Sequence, residues 1–262
     1  MNKKLPKRKE NTHKGDYGRV LIVAGSSGMT GAAILAARGA LRSGAGLTYL
    51  AVPKKLVDLV DSTTPEIITV PFEGIKSIKA DAIAVGPGLG VSTNTKKLLS
   101  SLISRSSALV IDADALNVIA KNTKLLKNAK ANIVITPHPG EMSRLIKKSI
   151  VFVQRHRSVV AKMAAHIFKC VVVLKGHRTV IADPSGKTYI NQTGNPGMAS
   201  GGVGDVLTGM IASFIGQGIP LFESAVLAVN LHGRAGDLAA KEKGEYGMIA
   251  SDLVERIPDA IQ

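Results

Sequence analysis

Residues Arg19–Gly25 read RVLIVAG, and after a short polar turn residues 30–43 read TGAAILAARGALRS. The first run has no polar face when extended, so it predicts a buried strand; the second is rich in Ala and Leu and predicts a helix. A strand apolar on both faces belongs to a sheet covered on both sides, and such sheets are mostly parallel. The same grammar continues outward. Leu47–Val52, Ile67–Val70, Ala82–Val85, Ala108–Ile111 and Ile133–Thr136 predict further strands, the last closed by Pro137. Val171–Leu174, Thr179–Ala182 and Thr188–Asn191 are closely spaced, with a turn at Asp183–Gly186, and predict an antiparallel edge. Helices are expected at Lys54–Asp61, Asn94–Ser104, Gly204–Ile215, Leu221–Ala240 and Ile249–Ile257. Val159, Val160, Met163, Ala164 and Ile167 recur at helical spacing before Cys170, predicting an amphipathic helix there. The expected fold is α/β, a mostly parallel central sheet with helices on both faces. No linker or repeat divides the chain, so a single domain is expected over 13–262, behind a basic, mobile arm at 1–12.

A chain of 262 residues can bury a large core, and 45% apolar with 20% charged residues excludes a disordered protein. Glycine is abundant at 27 residues while aromatics are only 3%, which suits a glycine-punctuated α/β protein rather than an aromatic recognition module. The net charge of +15 favours anionic partners: nucleic acid, an anionic membrane or a polyphosphorylated small molecule. With five Phe, four Tyr and no Trp, the stacking surface expected of a nucleic-acid binder is scarce. The single cysteine, Cys170, excludes an intramolecular disulfide, and its apolar neighbours predict a buried, inert thiol. No apolar run approaches the ~18–20 residues of a membrane span. The basic N-terminus lacks the apolar segment of a secretory signal, so a cytoplasmic protein is expected.

Ligands of such sheets collect at the carboxyl ends of the strands. Polar or glycine-rich clusters fall there repeatedly: Gly25–Gly28, Gly86–Gly90, Asp112–Asp114, Thr136–Glu141 and Lys175-Gly176. The strongest signal is NPGMASGGVGDVL, residues 195–207. Gly201, Gly202 and Gly204 allow close backbone approach, and the helix that follows offers unpaired N–H groups and a positive dipole end to an anion. Asp205 is out of place in an anion site. It reads either as a first-turn acid or as a general base beside a phosphate, taking a proton from an attacking hydroxyl. Rival motifs fail on spacing: Ser185–Thr188 would need Gly where Ile181 stands, and Gly86–Gly90 is GxGxG, not GxGxxG. The turn at Gly25–Gly28 lacks the order of a nucleophile elbow. The six histidines show no metal-ligand pairing, so zinc is not expected; His156 and His166 read as solvated, and His138, between two prolines, as a candidate ligand contact.

These segments resemble the ADP-dependent NAD(P)H-hydrate dehydratases, a branch of the ribokinase-like superfamily. The resemblance runs from His13 to the last helix and includes HKGDYGRVLIVAGSSGMTGAAILAARGALRSGAG, GPGLG, VIDADALN, TPHPGE, LKGHRTVI and NPGMASGGVGDVLTGM in family order. It implies a three-layer sandwich that repairs hydrated NADH and NADPH, with ADP as phosphoryl donor and AMP and phosphate as products. Asp205 would be the catalytic base and would also touch the substrate. Gly201, Gly202, Val203 and Gly204 would form the anion hole. Lys175, Gly176, His177, Arg178, Thr179 and Gly204 would hold AMP or ADP, and Ala33, Gly88 and His138 the hydrated dinucleotide. The family usually carries Thr where this chain has Ser200 and Val203; because the loop binds through backbone N–H groups, activity is expected to survive. Mg²⁺ is implied with the nucleotide, with Asp112, Asp114, Asn117 and Glu141 as candidate outer contacts and no ligand assigned. A homotetramer is implied; family members often carry an epimerase domain ahead of this one, and with only a short basic arm before His13 any epimerase is expected in a separate protein.

The nearest alternative is a ribokinase-like kinase of a pyrimidine or thiazole alcohol, which would release a stable phosphate ester. TPHPGE, GPGLG and the HKG start favour the dehydratase. A nucleic-acid-binding protein rests on charge alone.

Overall fold

The computed structural model describes residues 5, 7–105, 108–127, 129 and 132–262. In chain order the elements are β1 (Arg19–Val23), α1 (Thr30–Arg42), β2 (Leu47–Val52), α2 (Val57–Asp61), β3 (Ile68–Pro71), β4 (Ala82–Val85), α3 (Thr93–Arg105), β5 (Ala108–Ile111), α4 (Ala113–Ala120) and α5 (Lys124–Lys127). There follow β6 (Asn132–Ile135), α6 (Pro139–Ile146), α7 (Ile150–Arg155), α8 (Arg157–Phe168), β7 (Val171–Leu174), β8 (Val180–Ala182), β9 (Thr188–Ile190), α9 (Val203–Gly216), α10 (Leu221–Lys243) and α11 (Ala250–Ile261). One nine-stranded sheet runs β3-β2-β1-β4-β5-β6-β7-β8-β9. The ladders from β3 to β7 are parallel, and β8 and β9 add antiparallel.

The period of two in each strand splits the core cleanly. On β1, Val20 and Ile22 join one apolar layer with α1, α2, α9, α10 and α11. Leu21 and Val23 join the other, with α3 to α8. All four side chains have no exposed surface, and each buried Val, Leu or Ile contributes about 1.5–3 kcal/mol. Helices α1 and α9 touch backbone to backbone. A Cβ on Gly209 would stand 1.8 Å from the Ala36 carbonyl oxygen, and one on Gly39 2.5 Å from that of Val206. This contact seats the start of α9 over the strand ends.

The nine strands among the described residues fall where the sequence places them. Helices α4, α5, α6 and α7 were not expected. The polar residues of the α4 start read as a turn. Pro137 reads as a strand stop, but the next proline, Pro139, occupies the first turn of α6, where a proline's missing N–H costs nothing. The α8 stripe is also rotated: Val160, Ala161, Ala164, Ala165 and Phe168 are buried. Val159 is 63% exposed and Ile167 40%. Of the expected mobile arm, residues 1–4 and 6 lie outside the described residues. Arg8 is held against the domain, its Nη2 donating to Gly44 O (2.7 Å) and its guanidinium over the Tyr17 ring. Cys170 is buried, and burial pushes its thiol pKa up. No helix among the described residues is long and apolar enough to cross a membrane.

Candidate active site

The five predicted clusters stand side by side because β1, β4, β5, β6 and β7 are neighbours in that order. Sheet order reverses between β1 and β4, the place where open α/β sheets form a ligand crevice. There Gly25 N donates to Pro87 O (2.8 Å), joining the two loops. Gly88 lies against Met29, whose carbonyl oxygen would be 2.8 Å from a Cβ at that position.

The electrostatic centre is Asp112, which follows β5 and is 1% exposed. Its Oδ1 accepts from Lys175 Nζ (2.7 Å) and its Oδ2 from Thr208 Oγ1 of α9 (2.7 Å). Burial works against the Lys175 charge, but Asp112 and Glu141 outweigh it and its pKa is raised. A Cβ on Gly204 would lie 3.4 Å from Lys175 Nζ, so the ammonium sits beside the anion-binding turn.

Helix α9 is capped by Gly202, whose φ of 87° carries the chain into the helix with no side-chain cap. A side chain there would also meet Leu35 Cδ1, 2.4 Å from the Cβ position. The amides of Val203 and Gly204 open the helix, as an anion site requires. Asp205 is by position an acid of this first turn, and it accepts no hydrogen bond from the described residues, so its carboxylate is not committed to the helix amides. Burial pushes its pKa up to about 7, with Asp112, Glu141 and Asp114 adding to the rise and Lys175 opposing it. Glu141 is likewise raised by burial to about 6, against Lys175.

A cavity of ≈ 560 Å³ opens beside this centre. It collects Lys175, Gly176, His177, Arg178, Thr179 and Gly204, all expected at the nucleotide, together with Val203. Gly201 lies outside its lining and faces open space. Asn191, Thr193, Met198, Leu207 and His232 also line it and were not singled out from the sequence. His232 is buried with Nε2 donating to Val203 O (2.9 Å), and burial lowers its pKa to about 4, so it is a neutral brace.

His138 caps α6. Its Nδ1 accepts from Gly140 N (3.0 Å), while its own N–H donates to Glu141 Oε2 (2.8 Å). Its side chain stays 51% exposed beside the buried Glu141, so capping leaves one edge open to a ligand. Ala33 is different: it has no exposed surface and packs under the loop after β1, 3.1 Å from a Cβ on Gly25. The candidate metal contacts are largely occupied. Asp112 is doubly bonded as above, Asp114 Oδ2 accepts from Gly90 N (2.8 Å), and Asn117 Oδ1 accepts from Arg144 Nε (3.0 Å). Among the described residues no group of three or more His, Cys, Asp or Glu is placed to hold an ion.

A parallel sheet with an antiparallel edge, an anion-binding helix start and a lone carboxylate beside it define a protein of the ribokinase-like class. The family model described as NAD(P)H-hydrate dehydratase matches residues 20–259, and the chain belongs to that family. It is 43% identical over 270 residues to a bifunctional NAD(P)H-hydrate repair enzyme of Moorella thermoacetica, covering 97% of this chain and 51% of that protein. It is 36% identical to an ADP-dependent (S)-NAD(P)H-hydrate dehydratase of Neisseria meningitidis, covering 94% and 86%. Among solved structures it resembles an ADP/ATP-dependent NAD(P)H-hydrate dehydratase of Bacillus subtilis co-crystallised with ATP and Mg²⁺, with a TM-score of 0.89, 32% identity and coverage of 98% and 93%. The chain spans about half the length of the bifunctional relatives it matches.

Proposed function

We propose that this chain dehydrates the hydrated forms of NADH and NADPH, using ADP as phosphoryl donor and releasing AMP and phosphate. The observation that carries this reading is Asp205: a carboxylate without a hydrogen-bond partner, raised to about 7, at an anion-binding helix start beside Lys175. A base with a pKa near the working pH is suited to take the proton of an attacking hydroxyl. ADP occupies the cavity at Lys175–Thr179, and the hydrate lies along the rim near Gly88 and His138. Asp205 removes the proton from the hydrate hydroxyl as its oxygen attacks the β-phosphorus, and AMP leaves. The amides of the 201–204 turn and the Lys175 ammonium hold the charge on the phosphoryl oxygens. The C–O bond of the phosphate ester then breaks, phosphate leaves, and a proton is lost from the adjacent ring carbon, which restores the double bond of the reduced nicotinamide.

Mg²⁺ binds through few carboxylates plus phosphates and keeps several waters. The donor set here fits an ion carried by the nucleotide, since Asp112 is committed to Lys175 and Thr208; Asp114 and Glu141 would hold its waters. When bound, the ion neutralises phosphate charge. We further place residues 13–262 as one catalytic unit behind the basic 1–12 segment and the enzyme in the cytoplasm; a homotetramer is implied by the family resemblance.

The test is incubation with hydrated NADH or NADPH and ADP, following the return of reduced-nicotinamide absorbance. Recovery matched by equal AMP and phosphate supports the proposal. ADP consumption with a stable phosphate ester would establish the kinase alternative instead.

A further inference from the structure

Arg157 opens α8, and a cation at the positive end of a helix is electrostatically misplaced. The helix cap, His156, makes no side-chain capping bond that would offset this. What holds the guanidinium there is the end of β7. Nη2 donates to Leu174 O (2.8 Å) and to Lys175 O (3.2 Å), and Nη1 donates to Gln154 Oε1 (3.2 Å). Nε is buried without a partner, so the side chain keeps this pose at the expense of one donor.

The contact reaches the chain beside a constrained glycine. Gly176 has φ of +135°, a conformation closed to side chains, and a Cβ there would stand 2.9 Å from Arg157 Nη1. On the opposite side Lys175 N donates to Pro137 O (2.9 Å). The Leu174–Lys175 peptide is therefore held by Pro137 from the β6 end and by Arg157 from α8, and Arg157 alone also reaches the Lys175–Gly176 peptide through Lys175 O. A planar guanidinium can serve two carbonyls at once, where an ammonium is a point charge.

We propose that Arg157 is the positioning residue of the nucleotide subsite, fixing the two peptides that flank Lys175 so that the Lys175 ammonium and the 176–179 turn meet a nucleoside diphosphate in one geometry. The inference rests on reading the cavity as the ADP site.

The test titrates ADP by calorimetry into the full chain and its Arg157→Met and Arg157→Lys variants, with hydrate KM and melting temperature measured alongside. Misplacement of the turn is expected to raise the ADP Kd of Arg157→Met about tenfold or more. Hydrate KM stays within about twofold, and Arg157→Lys falls between Met and wild type. Wild-type ADP affinity in a folded Arg157→Met overturns the proposal, as does equal weakening of both ligands with a collapsed melting temperature. If the Met variant does not fold, Arg157→Lys decides: selective loss of ADP affinity supports the proposal, and unchanged affinity overturns it. A wild-type protein that binds the hydrate but not ADP defeats the nucleotide reading itself.

Discussion

Lys175 Nζ and Asp112 Oδ1 meet at 2.7 Å although their strands, β7 and β5, are separated by β6. The ion pair bridges over the end of β6, and Thr208 ties α9 to the same carboxylate. A contact that joins two strand ends and a helix start explains why Gly204 lies against the lysine and why Asp205 feels both Lys175 and Asp112.

Lys175→Met is therefore expected to destabilise the fold and not only the site. It leaves Asp112, 1% exposed, with a single hydrogen-bond donor, and breaking one side of a buried pair typically costs about 3–5 kcal/mol. Urea unfolding of the single variant measures this. Adding Asp112→Leu removes the stranded charge, so the double variant should lose less than the sum of the two singles. Simple additivity would mean that the pair carries no coupling.

Asp205→Asn is expected to lower turnover by ~10²–10⁴ while ADP binding persists, the usual range for loss of a positioned base. Stability should move the other way. The folded-state pKa, about 7, lies above the ordinary value of 3.8, so the folded protein holds the proton more tightly than the unfolded chain. That preference stabilises at low pH and is lost as pH rises through about 7. The Asn variant should thus melt at or above wild type at pH 8. In wild type, kcat/KM should fall on the acid side of about pH 7. Retention of half the activity in the Asn variant would reduce Asp205 to a bystander.

Gly176→Val crowds the turn between β7 and β8. The backbone there has φ of +135°, and the new Cβ would meet the Arg157 guanidinium. The apparent constant for ADP should rise more than that for the hydrate. Steady-state titration of each ligand at saturating levels of the other measures the ratio, and equal losses would point to general misfolding.

The sheet was legible because its signals are local. Val20 and Ile22 against Leu21 and Val23 state both faces within one short run, and residues 195–207 hold the anion turn and Asp205 in one segment. What the sequence hid is what folding joins across distance. Thr208 and Asp112 are 96 positions apart, and Arg157 lies 17 from Leu174. His232 braces Val203 from a helix that reads as ordinary core. The start of α6 was locally readable, since Pro139 and Glu141 form a capping pattern with His138, but the strand stop at Pro137 obscured it.

The net charge of +15 leads to a last prediction about salt. ADP presents a compact pyrophosphate, met on our reading by helix-start amides and Lys175, whose side chain is only 18% exposed. Sheltered contacts are screened less than surface pairs. A nucleic-acid binder neutralising about 6–10 phosphates loses about 10³–10⁵ in affinity between about 50 and 200 mM salt. ADP affinity should instead change by no more than about severalfold over that range, because few charges are involved and they are partly enclosed. Parallel titrations of ADP and a generic oligonucleotide at both salt concentrations separate the cases. Steeply salt-dependent oligonucleotide binding without measurable ADP binding would overturn the enzyme reading. A shallow ADP response, with oligonucleotide released at the higher salt, would assign the surplus charge to the surface rather than to catalysis.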